Sequence, residues 1–214
     1  MKAFAALLVG ILVHAFVGES AFAQQQSQAG RPSERSVVTQ SIAGADITIE
    51  YYRPVARGRD KLFGSVVKWN QVWTPGANWA TTLDVSRDYR LNGHAVPAGK
   101  YSMWMIPAEQ GEWTVFLHKT PRLFHTAKPK DNANDVIRFT VVPQQGPPTE
   151  VLTFHLPIVR GTTAALHMQW GEITIPLELD VGPMKTETVS PEQRSIYIGE
   201  YVAQPTPGDT TRYR

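Results

Sequence analysis

Asp46-Ile-Thr-Ile-Glu-Tyr-Tyr52 sets how the whole chain is read. Ile47, Ile49 and Tyr51 share one parity, and Thr48, Glu50 and Tyr52 the other. A period of two puts these sets on opposite faces of a β-strand, one turned to a core and one to water. The period recurs downstream. In Trp79–Val85, Trp79, Thr81, Leu83 and Val85 share a face opposite Ala80, Thr82 and Asp84. Tyr101–Ile106 and Trp113–His118 are apolar on both faces, as central strands are. Strands are also predicted over Asp135–Val142, Val151–Leu156, Thr162–Trp170 and Ile173–Leu179. In the last of these Ile173, Ile175, Leu177 and Leu179 are expected to face the core, and Thr174, Pro176, Glu178 and Asp180 to face out. Pro176 cannot donate a ladder hydrogen bond and marks an edge strand.

Turn chemistry separates the runs. Asn92-Gly93 signals a tight hairpin. Pro97–Lys100, Gln110-Gly111, Arg160-Gly161 and Gly171-Glu172 supply further turns. No long helical period follows residue 23. The expected fold is all-β: an antiparallel β-sandwich or partly closed barrel of about nine to ten strands, formed by residues 36–181.

The 214 residues contain no Cys, which excludes disulfides, thiolate metal sites and a cysteine nucleophile. Six Trp, seven Tyr and eight Phe supply the core that must replace disulfides. Lys+Arg of 21 against Asp+Glu of 19 gives a net charge of +2, so no nucleic-acid footprint is read.

Lys2, an apolar run from Ala3 to Val17, and Ala21-Phe22-Ala23 follow the order of a Sec signal peptide, with cleavage expected after Ala23. The run is too short to span a bilayer. An exported protein, periplasmic or extracellular, with no membrane span after cleavage, is expected. Residues 24–35 read as a flexible lead-in. Residues 182–214 read as a C-terminal extension with one possible strand near 196–202, which either pairs with the sandwich or stands apart.

Four pieces carry a more specific signal: Asp46–Pro54, Gly58-Arg59, Val72-Trp-Thr-Pro-Gly-Ala-Asn78 with Ala80-Thr-Thr82, and Leu91-Asn-Gly93 with Pro97-Ala-Gly-Lys-Tyr-Ser102. In this order they resemble a bacterial exported family of unknown function, domain of unknown function 2911, as far as about Leu179. The resemblance implies an all-β exported domain and no assigned activity. The family usually carries Arg directly after the first Trp of its Trp–Gly-Ala-Asn segment. Trp73 is instead followed by Thr74-Pro75, so an anion contact made by that Arg would be lost. Ser190–Tyr201 is also similar to the first strand of lipocalin-like tails on secreted serine hydrolases. With about a dozen residues to follow, it reads as a lone strand.

Arg53, Arg59, Trp73, Asn78 and Thr81 are the candidate ligand-binding residues. A strand end followed by a loop is where β-sandwiches place sites, and Arg forks read carboxylates and phosphates. Each also has a structural role open to it. Arg53 can cap loop carbonyls or pair with Asp60 or Glu50, Asn78 can close an Asx turn, and Gly58 and Gly76 can simply supply positive φ. Trp69, Trp73 and Trp79 crowd the same segment, for core packing or for ligand stacking. His155 and His167 fall on the polar parity of their strands and are expected to be cross-strand neighbours. They would need a third ligand such as Glu150 or Glu172, so no metal and no cofactor is expected. No G-x-S-x-G, H-E-x-x-H, P-loop or G-x-G-x-x-G occurs. The function expected is binding of a small molecule or protein partner. A hydrolase or isomerase with an unrecognised site, and an envelope structural module, are the alternatives.

Overall fold

The computed structural model describes residues 33–59, 61–184, 201–202 and 212–213. The signal-peptide reading, most of the lead-in and residues 196–200 lie outside them. The chain divides into two compact units, residues 1–182 and 183–214.

Among the described residues ten strands build the first unit: β1 (Glu34–Ile42), β2 (Ala45–Arg53), β3 (Thr82–Val85), β4 (Tyr89–Leu91), β5 (His94–Val96), β6 (Gly99–Ile106), β7 (Trp113–His118), β8 (Asp135–Val141), β9 (Gln144–Arg160) and β10 (Thr163–Asp180). They form two antiparallel sheets, ordered β1-β2-β3-β6-β7-β8 and β5-β4-β10-β9. The sheets do not close into a barrel, so the sandwich is the architecture. No described helix is long and apolar enough to cross a membrane.

Alternation does what the opening stretch requires. Ile47, Ile49 and Tyr51 are buried, as are Leu83 and Val85 of β3, Met103 and Met105 of β6, and Val115 and Leu117 of β7. Against them pack Leu152 and Phe154 of β9 and Leu166, Met168 and Trp170 of β10. Each such side chain stabilises the fold by about 1.5–3 kcal/mol through burial. β6, predicted to be apolar on both faces, serves two cores. Its odd residues enter the inter-sheet core, while Trp104 packs with Ala80 and Phe116 on the outer face, flanked by Leu123.

Asn92 and Gly93, at φ 48° and 80°, form the β4–β5 hairpin turn. Two consecutive left-handed residues are what a type I′ turn needs. Ala43 and Gly44 do the same between β1 and β2, at φ 45° and 75°.

Four expectations are corrected. First, the chain does not turn at Gly171-Glu172, because β10 runs through it. Gly171, at φ 59°, sits between two register shifts against β9. Such bulges bend a strand without reversing it and exchange the faces. The inward set is therefore even before the bulge (Leu166, Met168, Trp170) and odd after it (Ile175, Leu177, Leu179). Second, Pro176 is not on an edge strand, since β10 lies between β4 and β9. Pro176 falls beyond the β9 register, which ends at Thr174, and before the β4 register, which begins at Leu179. It therefore interrupts no ladder. Third, Thr174 is buried rather than outward, its hydroxyl accepting from Gln169 Nε2 at 3.2 Å. Fourth, β3 begins at Thr82, not Trp79, because Trp79 and Ala80 turn aside to bond with the 123–124 segment. β1 was not among the strands expected.

In the second unit, β11 (Tyr201–Val202) pairs antiparallel with β12 (Arg212–Tyr213).

Candidate functional site

The loop that leaves β2 zips onto β9. Ala56 N–H donates to Glu150 O at 2.7 Å, Leu152 N–H donates to Pro54 O at 3.0 Å, and Val55 bridges Val151. Arg53 reinforces this seam. Its Nε donates to Leu152 O at 3.3 Å and its Nη2 to Thr153 Oγ1 at 3.1 Å. Glu50 is engaged elsewhere, by Arg35 and Lys100.

Arg57 and Gly58 turn the chain at φ 55° and 65°. The Arg57 N–H donates to Glu150 Oε1 at 2.6 Å. Arg59 then folds back on its own loop, donating from Nε to Ala56 O at 2.7 Å and from Nη2 to Val55 O at 2.6 Å. Two short bonds fix the guanidinium in place, so little side-chain entropy remains to be lost when an anion binds.

The Trp73–Thr81 segment is tied just as firmly. Thr74 Oγ1 donates to Met103 O at 3.0 Å and accepts from Thr81 N–H at 2.9 Å. Thr74 is a buried structural tie. Thr81 is fully buried and its Oγ1 donates to Pro75 O at 2.8 Å. Asn78 adopts φ 58°, donates from Nδ2 to Ser33 O at 3.2 Å, and accepts from His125 N–H at 2.8 Å through its carbonyl. Gly76 is required by close approach: a Cβ there would stand 2.9 Å from Thr81 Oγ1 and 3.1 Å from Tyr52 O.

Between these segments lies a cleft of about 340 Å³. Its polar wall carries Arg57, Arg59 and His125, and its apolar wall Val66, Trp73 and Trp170. Of the five candidates, Arg59 and Trp73 line the cleft. Arg53, Asn78 and Thr81 do not, being engaged in structural hydrogen bonds elsewhere. Trp73 and Trp170 stack with centroids 6.3 Å apart, and Phe63 meets both edge-on at 5.8 and 6.0 Å. Trp170 is 1% exposed, and its indole N–H has no acceptor among the described residues. Burial, assisted by Lys128, holds the His125 pKa below its ordinary value, so the imidazole is neutral near pH 7. Trp170 was not among the sequence candidates: it reaches this wall from β10, and only the three-dimensional packing brings it beside Trp73.

A second arrangement was invisible in the sequence. Ser102 faces His118, and His118 faces Asp135, across β6, β7 and β8. The three are a serine, a histidine and an aspartate in register, but their bonds are not those of a nucleophile and its base. Ser102 Oγ donates to Thr120 O at 2.7 Å and accepts from Trp104 Nε1 at 2.9 Å. His118 Nδ1 accepts from Thr120 N–H at 3.1 Å. Asp135 Oδ2 is held by Arg138, with the closest contact at 2.6 Å. Among the described residues, no three His, Asp or Glu side chains cluster to hold a metal ion.

No curated protein and no solved structure matches the chain. Residues 33–179 match the model of the family described as "Protein of unknown function (DUF2911)", and the chain belongs to that family.

Proposed function

We propose that this protein is an exported binding module for a small amphipathic anion seated in the Arg59–Trp73 cleft. The observation that carries the reading is one volume of about 340 Å³ that joins a backbone-anchored guanidinium to a stacked indole wall. Small-molecule sites have this size and this mix of apolar walls with few, fixed polar groups. Arg59 would take a carboxylate or phosphate, and Trp73, backed by the buried Trp170, the apolar body. The signal-peptide pattern of residues 1–23 supports export. Binding is preferred to hydrolysis because Ser102 and His118 are occupied in holding Thr120.

The test is a thermal-shift panel of arylalkanoic acids, fatty acids, sugar phosphates and neutral sugars. A ligand that binds only the folded state raises Tm. Stabilisation by amphipathic acids, and not by their amides, supports the reading. A flat response to every acid, or equal response to acid and amide, refutes it.

A further inference from the structure

We propose that the protein forms a two-fold dimer through the free edge of β1, which pairs antiparallel with β1 of a second copy in one register, with Val38 on the axis. The larger sheet ends at β1, and no described strand lies beyond it. The other three sheet edges are blunted. β5 is 3 residues long. β8 lies against β5, with Phe139 and His94 stacked at 5.4 Å. β9 carries Pro147, Pro148 and Pro157, its register with β10 is broken by shifts, and the 54–56 loop zips onto its outer side. Such devices keep sheet edges from pairing. β1 has none of them over Ser36–Ile42. That run holds no charge, Pro or Gly, its register with β2 is unbroken, and Val37 is 42% exposed.

The backbone fixes the register. Ala43 and Gly44 close a two-residue hairpin, so Ile42 and Ala45 are a hydrogen-bonded pair. Bonded pairs then alternate along the ladder, and the N–H and C=O of Arg35, Val37, Thr39 and Ser41 point away from β2. Asp46, opposite Ser41, shows this parity directly. Its N–H donates to Ser86 Oγ at 2.8 Å and its C=O accepts from Ser86 N–H at 3.0 Å, both on the β3 side. One antiparallel register matches every outward residue of one copy to an outward residue of the other: Arg35 to Ser41 and Val37 to Thr39, reciprocally, around Val38. The β-branched Val37 and Thr39 then meet on the outer face, a favourable cross-strand pair. Arg35 comes beside the other copy's Ser41, whose hydroxyl donates to Asp46 Oδ1 at 2.6 Å, so a cation approaches a carboxylate. The two Arg35 side chains stay about 20 Å apart, six residues along the ladder. This match of β1 with itself, in hydrogen bonds and in charge, favours a second copy over a foreign strand, and one shared patch is what an isologous two-fold needs.

Sedimentation velocity of the purified protein over a wide concentration range, with amide hydrogen exchange, tests this. A dimer is expected at the upper end, with slow exchange at Arg35, Val37, Thr39 and Ser41. Dilution to monomer should speed exchange at these residues and leave Ser36, Val38 and Gln40 slow, because those bond to β2. Thr39→Pro deletes an outward N–H and no β1–β2 bond, and is expected to weaken the dimer at least tenfold. Val37→Lys, which leaves the backbone intact, should do the same through like charges set close across the axis. The chain has no Cys, so Val38→Cys supplies the single thiol. It should oxidise to a disulfide dimer, because facing residues of a non-hydrogen-bonded pair lie about 4.5 Å apart. Ser36→Cys, opposite Gln40, should stay reduced. A monomer at every concentration, protection of the outward amides in a monomer, or crosslinking of Ser36→Cys as readily as of Val38→Cys overturns the proposal.

Discussion

Ser102 and His118 face each other across β6 and β7 and grip the two polar groups of one residue, Thr120. The hydroxyl holds its carbonyl at 2.7 Å and the imidazole its N–H at 3.1 Å. This clamp anchors the start of the segment that carries Leu123 onto the Trp104–Phe116 cluster and His125 to the cleft wall. Ser102→Ala removes the grip on the carbonyl and strands the buried indole N–H of Trp104. A loss of about 2–3 kcal/mol in urea unfolding is expected, from one lost bond plus one unsatisfied buried donor. A loss under about 0.5 kcal/mol would mean that the clamp contributes nothing.

Arg53 and Arg59 belong to one loop end but have different work. Arg53→Gln breaks two bonds to β9 and is expected to lower stability by about 1–2 kcal/mol while leaving ligand affinity within twofold. Arg59→Gln is expected to weaken binding of an amphipathic acid at least tenfold, as loss of a charge-assisted bond does. Unfolding curves and calorimetry on both variants separate the two roles.

Glu50 gives the fold an acid-side dependence. The hydrogen bond from Arg35, with lesser help from Lys100, holds its carboxyl below the ordinary 4.5. A depressed folded pKa contributes stability that is complete above the unfolded value and is lost as pH falls through the folded one. The window is therefore below about pH 4.5. Both pairs are solvent-exposed, so the contribution is at most about 1 kcal/mol. Glu50→Gln should flatten the fall in Tm between pH 5 and 3, and raised salt should do the same.

His125 gives the cleft a dependence in a higher range. Its imidazole is neutral at pH 7.5 because burial, then Lys128, depresses its pKa. As pH falls through that lowered value the ring gains charge, and an anion in the cleft favours the charged form. Affinity for phenylacetate, still ionised above about pH 5, should rise only as pH falls below 6.5, because the His125 pKa is held under that ordinary value. His125→Gln should remove the rise. The same rise in the variant would place the titrating group elsewhere.

The local signals in the sequence carried far where each strand reports its own faces. Ile47, Ile49 and Tyr51, the double-sided Met103–Met105 run, and Asn92-Gly93 all depend on neighbours a few residues away. β1 did not announce itself because its faces are largely exposed and it exists by pairing with β2. β10 read as two strands because the bulge at Gly171 exchanges the inward parity, which in sequence looks like a new beginning. Loop position and residue type were enough to single out Arg59 and Trp73, which line the cleft. That Arg53 would be consumed by Leu152 and Thr153 depends on a strand about a hundred residues away. For the same reason nothing near Trp170 marked it as a wall of the cleft.

The central claim, that the Arg59–Trp73 cleft seats an amphipathic anion, is tested most directly by the six indole N–H signals in a ¹H–¹⁵N spectrum during titration with phenylacetate and indole-3-acetate. The Trp73 and Trp170 signals should move together in wild type and stay still in Arg59→Gln. Trp104, bonded to Ser102 Oγ on the outer face, should not move in either. Movement of Trp104 without Trp73 or Trp170, or six unmoved signals at saturating acid, contradicts the account.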